Sequence, residues 1–201
     1  MNDIVNLATI PFELSWDPLP ERWETTPDSA MVITAGAKTD LFSDPRGEMT
    51  IANSPRLLFS PPEEYLLSAH VAVEFGSTFD AGVLLVYAGP GRWAKLCFEY
   101  SPQQQPMVVS VVTRDVSDDA NGVPIEGQAV HLRVARLGEA FAFHYSTDDR
   151  FWHLVRYFSL GTADSIQAGF SAQSPTGPGC TARFSDIRYT IETLANLRDG
   201  T

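Results

Sequence analysis

Asp80-Ala-Gly-Val-Leu-Leu-Val-Tyr-Ala-Gly-Pro-Gly-Arg-Trp-Ala-Lys-Leu-Cys-Phe-Glu-Tyr100 decides how the rest of the chain is read. From Trp93 to Tyr100 the residues alternate. Ala94, Leu96, Phe98 and Tyr100 share one face, and Trp93, Lys95, Cys97 and Glu99 share the other, the period of a strand buried on one side. Val83 to Ala88 is apolar on both faces, which suits a central strand. Gly89-Pro90-Gly91 supplies the turn, because glycine reaches positive φ and proline cannot continue a ladder. Matching the apolar faces puts Leu85 opposite Leu96, Val83 opposite Phe98, Gly82 opposite Glu99, Val86 opposite Lys95 and Ala88 opposite Trp93. A slip of one residue would drive Lys95 and Glu99 into the core, so this register is expected. The outer face then presents Trp93, Lys95 and Glu99 to water beside the small residues Gly82 and Ala88, forming a shallow depression.

Outward from this hairpin the chain keeps the same habit. Leu67, Ala69, Val71, Val73 and Phe75 alternate with polar residues in the strand 66–75. Met107 to Thr113 pairs next to the hairpin and brings Arg114 beside Trp93. Residues 115–128 read as a polar loop. Val130–Arg136 and Phe141–Ser146 make a second hairpin, whose His131, Arg133 and His144 form an exposed polar stripe. Short strands are also read at 30–35, 55–59, 151–158, 166–172 and 181–191. Segment 10–23 is irregular, with Phe12, Trp16 and Trp23 as apolar anchors. Residues 39–47 are turn-rich. No helical period persists. Ten or more strands with Gly/Pro turns indicate an all-β, two-sheet antiparallel jelly-roll sandwich over residues 1–191. The polar tail 192–201 is expected to fray or to form a short turn.

At 201 residues, 44% hydrophobic and 11% aromatic, the chain can bury a large core. A net charge of -11 disfavours nucleic acid and anionic membrane as partners. The two cysteines, Cys97 and Cys180, are expected to be reduced thiols. The start of the chain lacks a basic stretch followed by an apolar run, and no apolar run reaches bilayer length, so a cytoplasmic protein is expected.

Several phrases, in order, resemble one family: Trp93-Ala-Lys-Leu-Cys-Phe-Glu-Tyr100, Ser110-Val-Val-Thr113, His131-Leu-Arg-Val-Ala-Arg136 before Phe141-Ala-Phe-His-Tyr-Ser-Thr-Asp148, and Trp152-His-Leu-Val-Arg156. Gly169-Phe-Ser-Ala-Gln-Ser-Pro175 and Phe184-Ser-Asp-Ile-Arg-Tyr189 close the series. The chain resembles the DUF1349 family, sometimes labelled "regulation of enolase" proteins, within the concanavalin A-like lectin/glucanase superfamily. The resemblance covers about residues 12–190 and implies a concanavalin A-like jelly roll with a ligand groove on its curved front sheet. The family pattern runs Ser-Asp-Trp, whereas Ser117-Asp118 is followed here by Asp119.

The candidate site follows from the outer face of the hairpin. Trp93 offers an aromatic plane to a sugar ring, and Lys95, Glu99, Thr113 and Arg114 offer groups for its hydroxyls. Asp40, Asp118 and Gln173 reach the same face from loops. The expectation is a non-catalytic module for a saccharide or small polyol, with no cofactor. One alternative is a protein partner, through regulation of a metabolic enzyme; another is a glycan-active enzyme built on Glu99 and a loop aspartate such as Asp118. The superfamily's Glu-x-Asp-x-Glu array is absent, since Lys95 and Cys97 hold the offsets from Glu99, so no catalytic residue is assigned. The histidines lack zinc spacing, and the acidic 115–122 segment lacks the EF-hand pattern, so no metal is assigned.

Overall fold

A computed structural model describes residues 4–163 and 165–201. The strands are β1 (Ile4–Val5), β2 (Leu14–Trp16), β3 (Arg22–Thr25), β4 (Met31–Gly36), β5 (Leu41–Ser43) and β6 (Thr50–Ala52). Then come β7 (Arg56–Phe59), β8 (Glu64–Glu74), β9 (Ala81–Gly89), β10 (Arg92–Tyr100), β11 (Pro106–Arg114) and β12 (Val116–Pro124). The series ends with β13 (Ala129–Leu137), β14 (Ala140–Ser146), β15 (His153–Ser159), β16 (Gln167–Gln173) and β17 (Gly179–Thr190). No helix occurs among the described residues.

The strands form a sandwich of antiparallel sheets. The front sheet runs β1-β2-β7-β16-β9-β10-β11-β12 and the back sheet β15-β14-β13-β8-β17-β4-β3. Between them Leu67, Val71, Leu84, Val86, Leu96, Phe98, Phe143, Phe170 and Phe184 are buried in one core. Each strand contributes every second residue to it, which is why the alternating segments could be placed from sequence. Arg156 clasps the two sheets at one edge. Its Nη1 donates to the Ser110 carbonyl at 3.4 Å and the Asp118 carbonyl at 3.2 Å, and its Nη2 pairs with Asp118 Oδ1 at 2.9 Å.

The central hairpin forms, with one correction to its register. Gly89 pairs with Arg92 as the turn demands, but a bulge at Arg92/Trp93 then sets Trp93 opposite Tyr87, Lys95 opposite Leu85, Phe98 opposite Gly82 and Glu99 opposite Ala81. β10 keeps its expected faces, and it is β9 that turns over. Because β9 is apolar on both sides, its pattern could not resist the shift. Gly82 therefore faces the interior, where an added Cβ would come within 2.7 Å of Val71 Cγ1. The outer face of β9 carries Ala81, Val83 and Leu85 instead of Gly82 and Ala88.

Four further expectations are corrected. Residues 116–124 are an edge strand paired along β11, not a loop, and Thr113, not Arg114, lies opposite Trp93. The outer face of the front sheet is covered: β5 and β6 pair as a hairpin, and Leu41 joins Leu58, Val83, Leu85, Trp93, Cys97 and Val109 in a second apolar layer. The back-sheet stripe is covered too. The tail turns at residues 197–200 and docks, with Leu194 against Ala135 and Ala142, Arg133 Nη2 donating to the Gly200 carbonyl at 2.7 Å, and His144 Nε2 donating to the Leu197 carbonyl at 2.8 Å. Arg133 and His144 are buried as a result, and Arg133 stacks on Trp152 at 4.2 Å. Both cysteines are free and buried.

Candidate functional site

Lys95 sits at the middle of β10 with its side chain on the outer face, only 3% exposed. A buried ammonium needs partners. It donates to Asp40 Oδ1 at 3.1 Å and to Gln173 Oε1 at 2.9 Å. Burial works against its charge, but the attraction of Asp40, and then of Cys97 and Glu99, outweighs that, so its pKa is raised and it stays an ammonium.

Both partners are fixed from behind. Asp40 stands just before β5. Its Oδ1 also accepts the Leu41 N–H at 2.7 Å, its own N–H donates to Asn53 Oδ1 at 2.9 Å, and its carbonyl accepts the N–H groups of Asn53 and Ser54, each at 3.0 Å. Gln173 ends β16 and donates through Nε2 to the Phe79 carbonyl at 3.3 Å. Next to it, Ser174 donates through Oγ to Asp80 Oδ1 at 2.7 Å, and Asp80 Oδ2 accepts the N–H groups of Gly76 and Ser77 at 2.9 and 2.7 Å. The fully buried Asp80 thus ties the 76–80 turn to the 173–176 loop.

That turn holds Phe79 in the left-handed region, φ 71°, with its N–H on the Tyr100 carbonyl at 2.7 Å. An aromatic residue there is a backbone outlier that the surroundings must enforce. The residue remains 36% exposed. Phe79, Phe42, Met49, Ile51, Val111 and Pro175 form the walls of a cleft of about 240 Å³, and Asp40, Lys95, Glu99, Asp119, Gln173 and Thr176 supply its polar groups.

Glu99 and Asp119 complete the floor. Glu99 is 9% exposed and, among the described residues, has no hydrogen-bond or salt-bridge partner. Burial pushes its carboxyl up to about 8; Lys95 pulls it down, and Asp119 and Asp40 raise it further. It therefore carries a proton at neutral pH. Asp119 lies on β12 in the row that runs Lys95, Val111, Asp119 across three strands. Its carboxyl is also raised, first by burial, against the pull of Lys95. Burial raises the Cys97 thiol well above its ordinary range, so it is no nucleophile at neutral pH.

The fold brings together Asp40, Lys95, Glu99 and Gln173 from the eight residues expected at the site, and sends the others elsewhere. Trp93 is 2% exposed, in the apolar layer beside the β5–β6 hairpin, and not open to water. Thr113 is buried and shares a 2.8 Å hydrogen bond with Ser117 Oγ, which accepts the Ser43 N–H at 2.9 Å; this chain of bonds seats β5 on the sheet. Arg114 is exposed and donates to the Ser159 carbonyl at 3.4 Å. Asp118 is held by Arg156, one residue away from the carboxylate that does reach the cleft. Phe79, Phe42 and Asp119 were missed. A signal for Asp119 was present, because it stands where the family pattern has tryptophan. Phe79 gave none, because its place depends on an unusual φ.

The fold is shared with solved structures. A functionally unknown protein from Saccharomyces cerevisiae matches with a TM-score of 0.83 and 22% identity, covering 94% of this chain and 100% of that one. The GH43 protein BlXynB from Bacillus licheniformis matches with a TM-score of 0.72 and 16% identity, over 90% of this chain but only 37% of that longer one. The carbohydrate binding module CBM66 from Bacillus subtilis matches with a TM-score of 0.56 and 15% identity, over 87% and 94% of the two chains. No curated protein matches in sequence. A family model, "Protein of unknown function (DUF1349)", aligns with residues 16–191, and by that match, over most of its length, the chain belongs to the DUF1349 family.

Proposed function

We propose that this protein binds a saccharide or small polyol of about one sugar ring in the cleft over β10. The observation that carries this reading is the pairing of an exposed Phe79 with a floor on which Lys95, Gln173 and Asp40 are fixed by hydrogen bonds and, among the described residues, Glu99 and Asp119 stand free beside them. An aromatic face suits the C–H side of a sugar, and convergent donors and acceptors suit its hydroxyls. Protonated Glu99 can donate to a hydroxyl oxygen, and the carboxyl oxygens of Asp119 can accept from one. The volume is below the 300–1,000 Å³ of drug-sized sites, which favours a small ligand. The fold shared with CBM66 agrees with this reading at the level of architecture only. Calorimetric titration with a panel of monosaccharides and polyols tests it. At least one member should bind, and Phe79→Ala should weaken that binding about tenfold or more; a panel without a binder refutes the reading.

A second reading has one observation in its favour. The proton held by Glu99 near neutral pH is what a general acid in glycoside cleavage requires. Asp119 replaces Asp118 as its companion, since Asp118 is engaged by Arg156. Turnover of an aryl glycoside that disappears in Glu99→Gln would support an enzyme. The regulatory-partner alternative rests on a family label alone.

A further inference from the structure

We infer that the ligand of this cleft is an amino sugar, a hydroxylated ring whose ammonium group pairs with Glu99 and Asp119. This rests on the saccharide reading above and names its chemical class. The argument is a balance of charge and partners. Three carboxyl groups, on Asp40, Glu99 and Asp119, line the cleft, and Lys95 is the one cationic side chain among its lining residues. Two of the three N–H donors of Lys95 go to Asp40 and Gln173, and Asp40 is satisfied within the protein by this bond and the Leu41 N–H. Glu99 is not. It is nine-tenths buried, opens onto the cleft, and has no hydrogen-bond or salt-bridge partner among the described residues. Its oxygens open onto the cleft rather than into closed protein, so whatever completes this carboxyl comes from outside the protein.

The groups facing Glu99 come from every element around it: Lys95 and Cys97 on its own strand, Asp119 on β12 and Asp40 before β5. Two of these are carboxylates, and the thiol is neutral, so an anionic ligand would meet repulsion that Lys95 alone cannot offset. A ligand ammonium would take the place of the proton that Glu99 now carries. Phe42 and Phe79 flank the same space and could also face such a cation. The ring hydroxyls would fall to Gln173 and Thr176, which also line the cleft.

Because the free protein holds Glu99 protonated, pairing with a cation must expel that proton. Calorimetry near pH 6, in two buffers of different ionisation enthalpy, reads this release directly. D-Glucosamine, D-glucose and cyclohexylamine serve as probes. Glucosamine is expected to bind at least tenfold more tightly than glucose, with release approaching one proton per site. In Glu99→Gln the preference for glucosamine over glucose and the proton release are both expected to vanish; Asp119→Asn should reduce the preference. Glucose binding as well as glucosamine, or glucosamine binding without proton release, overturns the amino-sugar inference and leaves the saccharide reading standing. Cyclohexylamine matching glucosamine overturns both, since the hydroxyls then count for nothing; a failure of glucosamine to bind overturns the amino-sugar inference, and the saccharide reading then stands or falls with the wider panel above.

Discussion

Replacing Glu99 by glutamine should stabilise the protein, and the gain should depend on pH. The carboxyl is held at about 8 in the folded chain against an ordinary 4.5. Between those values the native state binds a proton that the unfolded chain has released, so stability is fully present below pH 4.5 and is lost as pH rises through 8. At pH 7 the cost spans 2.5 of the pH units separating the two states, and at about 1.36 kcal/mol per unit it comes to roughly 3 kcal/mol. Glutamine has the shape of the protonated acid and cannot ionise, so it removes that cost while keeping the packing beside Cys97 and Met107. Urea unfolding of both proteins at pH 4.5, 6 and 7 measures the difference. The two should coincide near pH 4.5 and separate by about 3 kcal/mol at pH 7. A gap that stays flat with pH, or a variant less stable than the parent at pH 7, would refute the description of Glu99 as buried and unpartnered.

The remaining expectations touch other parts of the molecule. Lys95→Met should cost about 3–5 kcal/mol in chemical denaturation, because it leaves Asp40 and Gln173 buried without their shared partner. Gly169→Ala should destabilise by about 3 kcal/mol or prevent folding, since its Cβ would lie 1.9 Å from the Leu57 carbonyl oxygen and force β16 away from β7. Removal of residues 192–201 should lower the melting temperature and, by uncovering His144, flatten the acid limb. That histidine is pushed down to about 4, by burial and then by Arg133, against the pull of its bond to Leu197, so the stability it contributes is lost as pH falls from 6.5 toward 4.

How far the sequence could be read depended on whether a strand had two different faces. β8, β10 and β13 alternate, and their inward residues were placed correctly. β9 is apolar throughout, and only the bulge at Arg92/Trp93 chooses between its two settings; a bulge of one residue leaves no mark on such a pattern. The short strands β2, β3, β5 and β6 were invisible for another reason. At three or four residues each, they are strands only because a neighbour offers a ladder, as β7 does for β2. The 115–128 segment read as a loop because its aspartates and glycine are poor strand formers. Pairing with the β-branched β11 overrides that preference at the sheet edge.

The site followed the same division. Lys95 and Glu99 belong to a strand with two distinct faces, so their side was legible; what covers that side was not. Alternation says which residues leave the sandwich core, but it does not say whether they meet water or a second layer of chain. The β5–β6 hairpin supplies that second layer, and it changes the chemistry of everything beneath it. In open water Lys95 and Glu99 would be two ordinary solvated charges with little hold on a ligand. Under the hairpin the same residues become a committed ion pair and a carboxyl without a partner. Trp93, the aromatic residue expected to meet the ligand, is absorbed into the covering layer, and the exposed ring comes from Phe79, which no periodicity could reveal. The hairpin therefore creates a desolvated floor on which the proposed recognition by Glu99 and Asp119 would be worth more than on the open surface the strand alone implies.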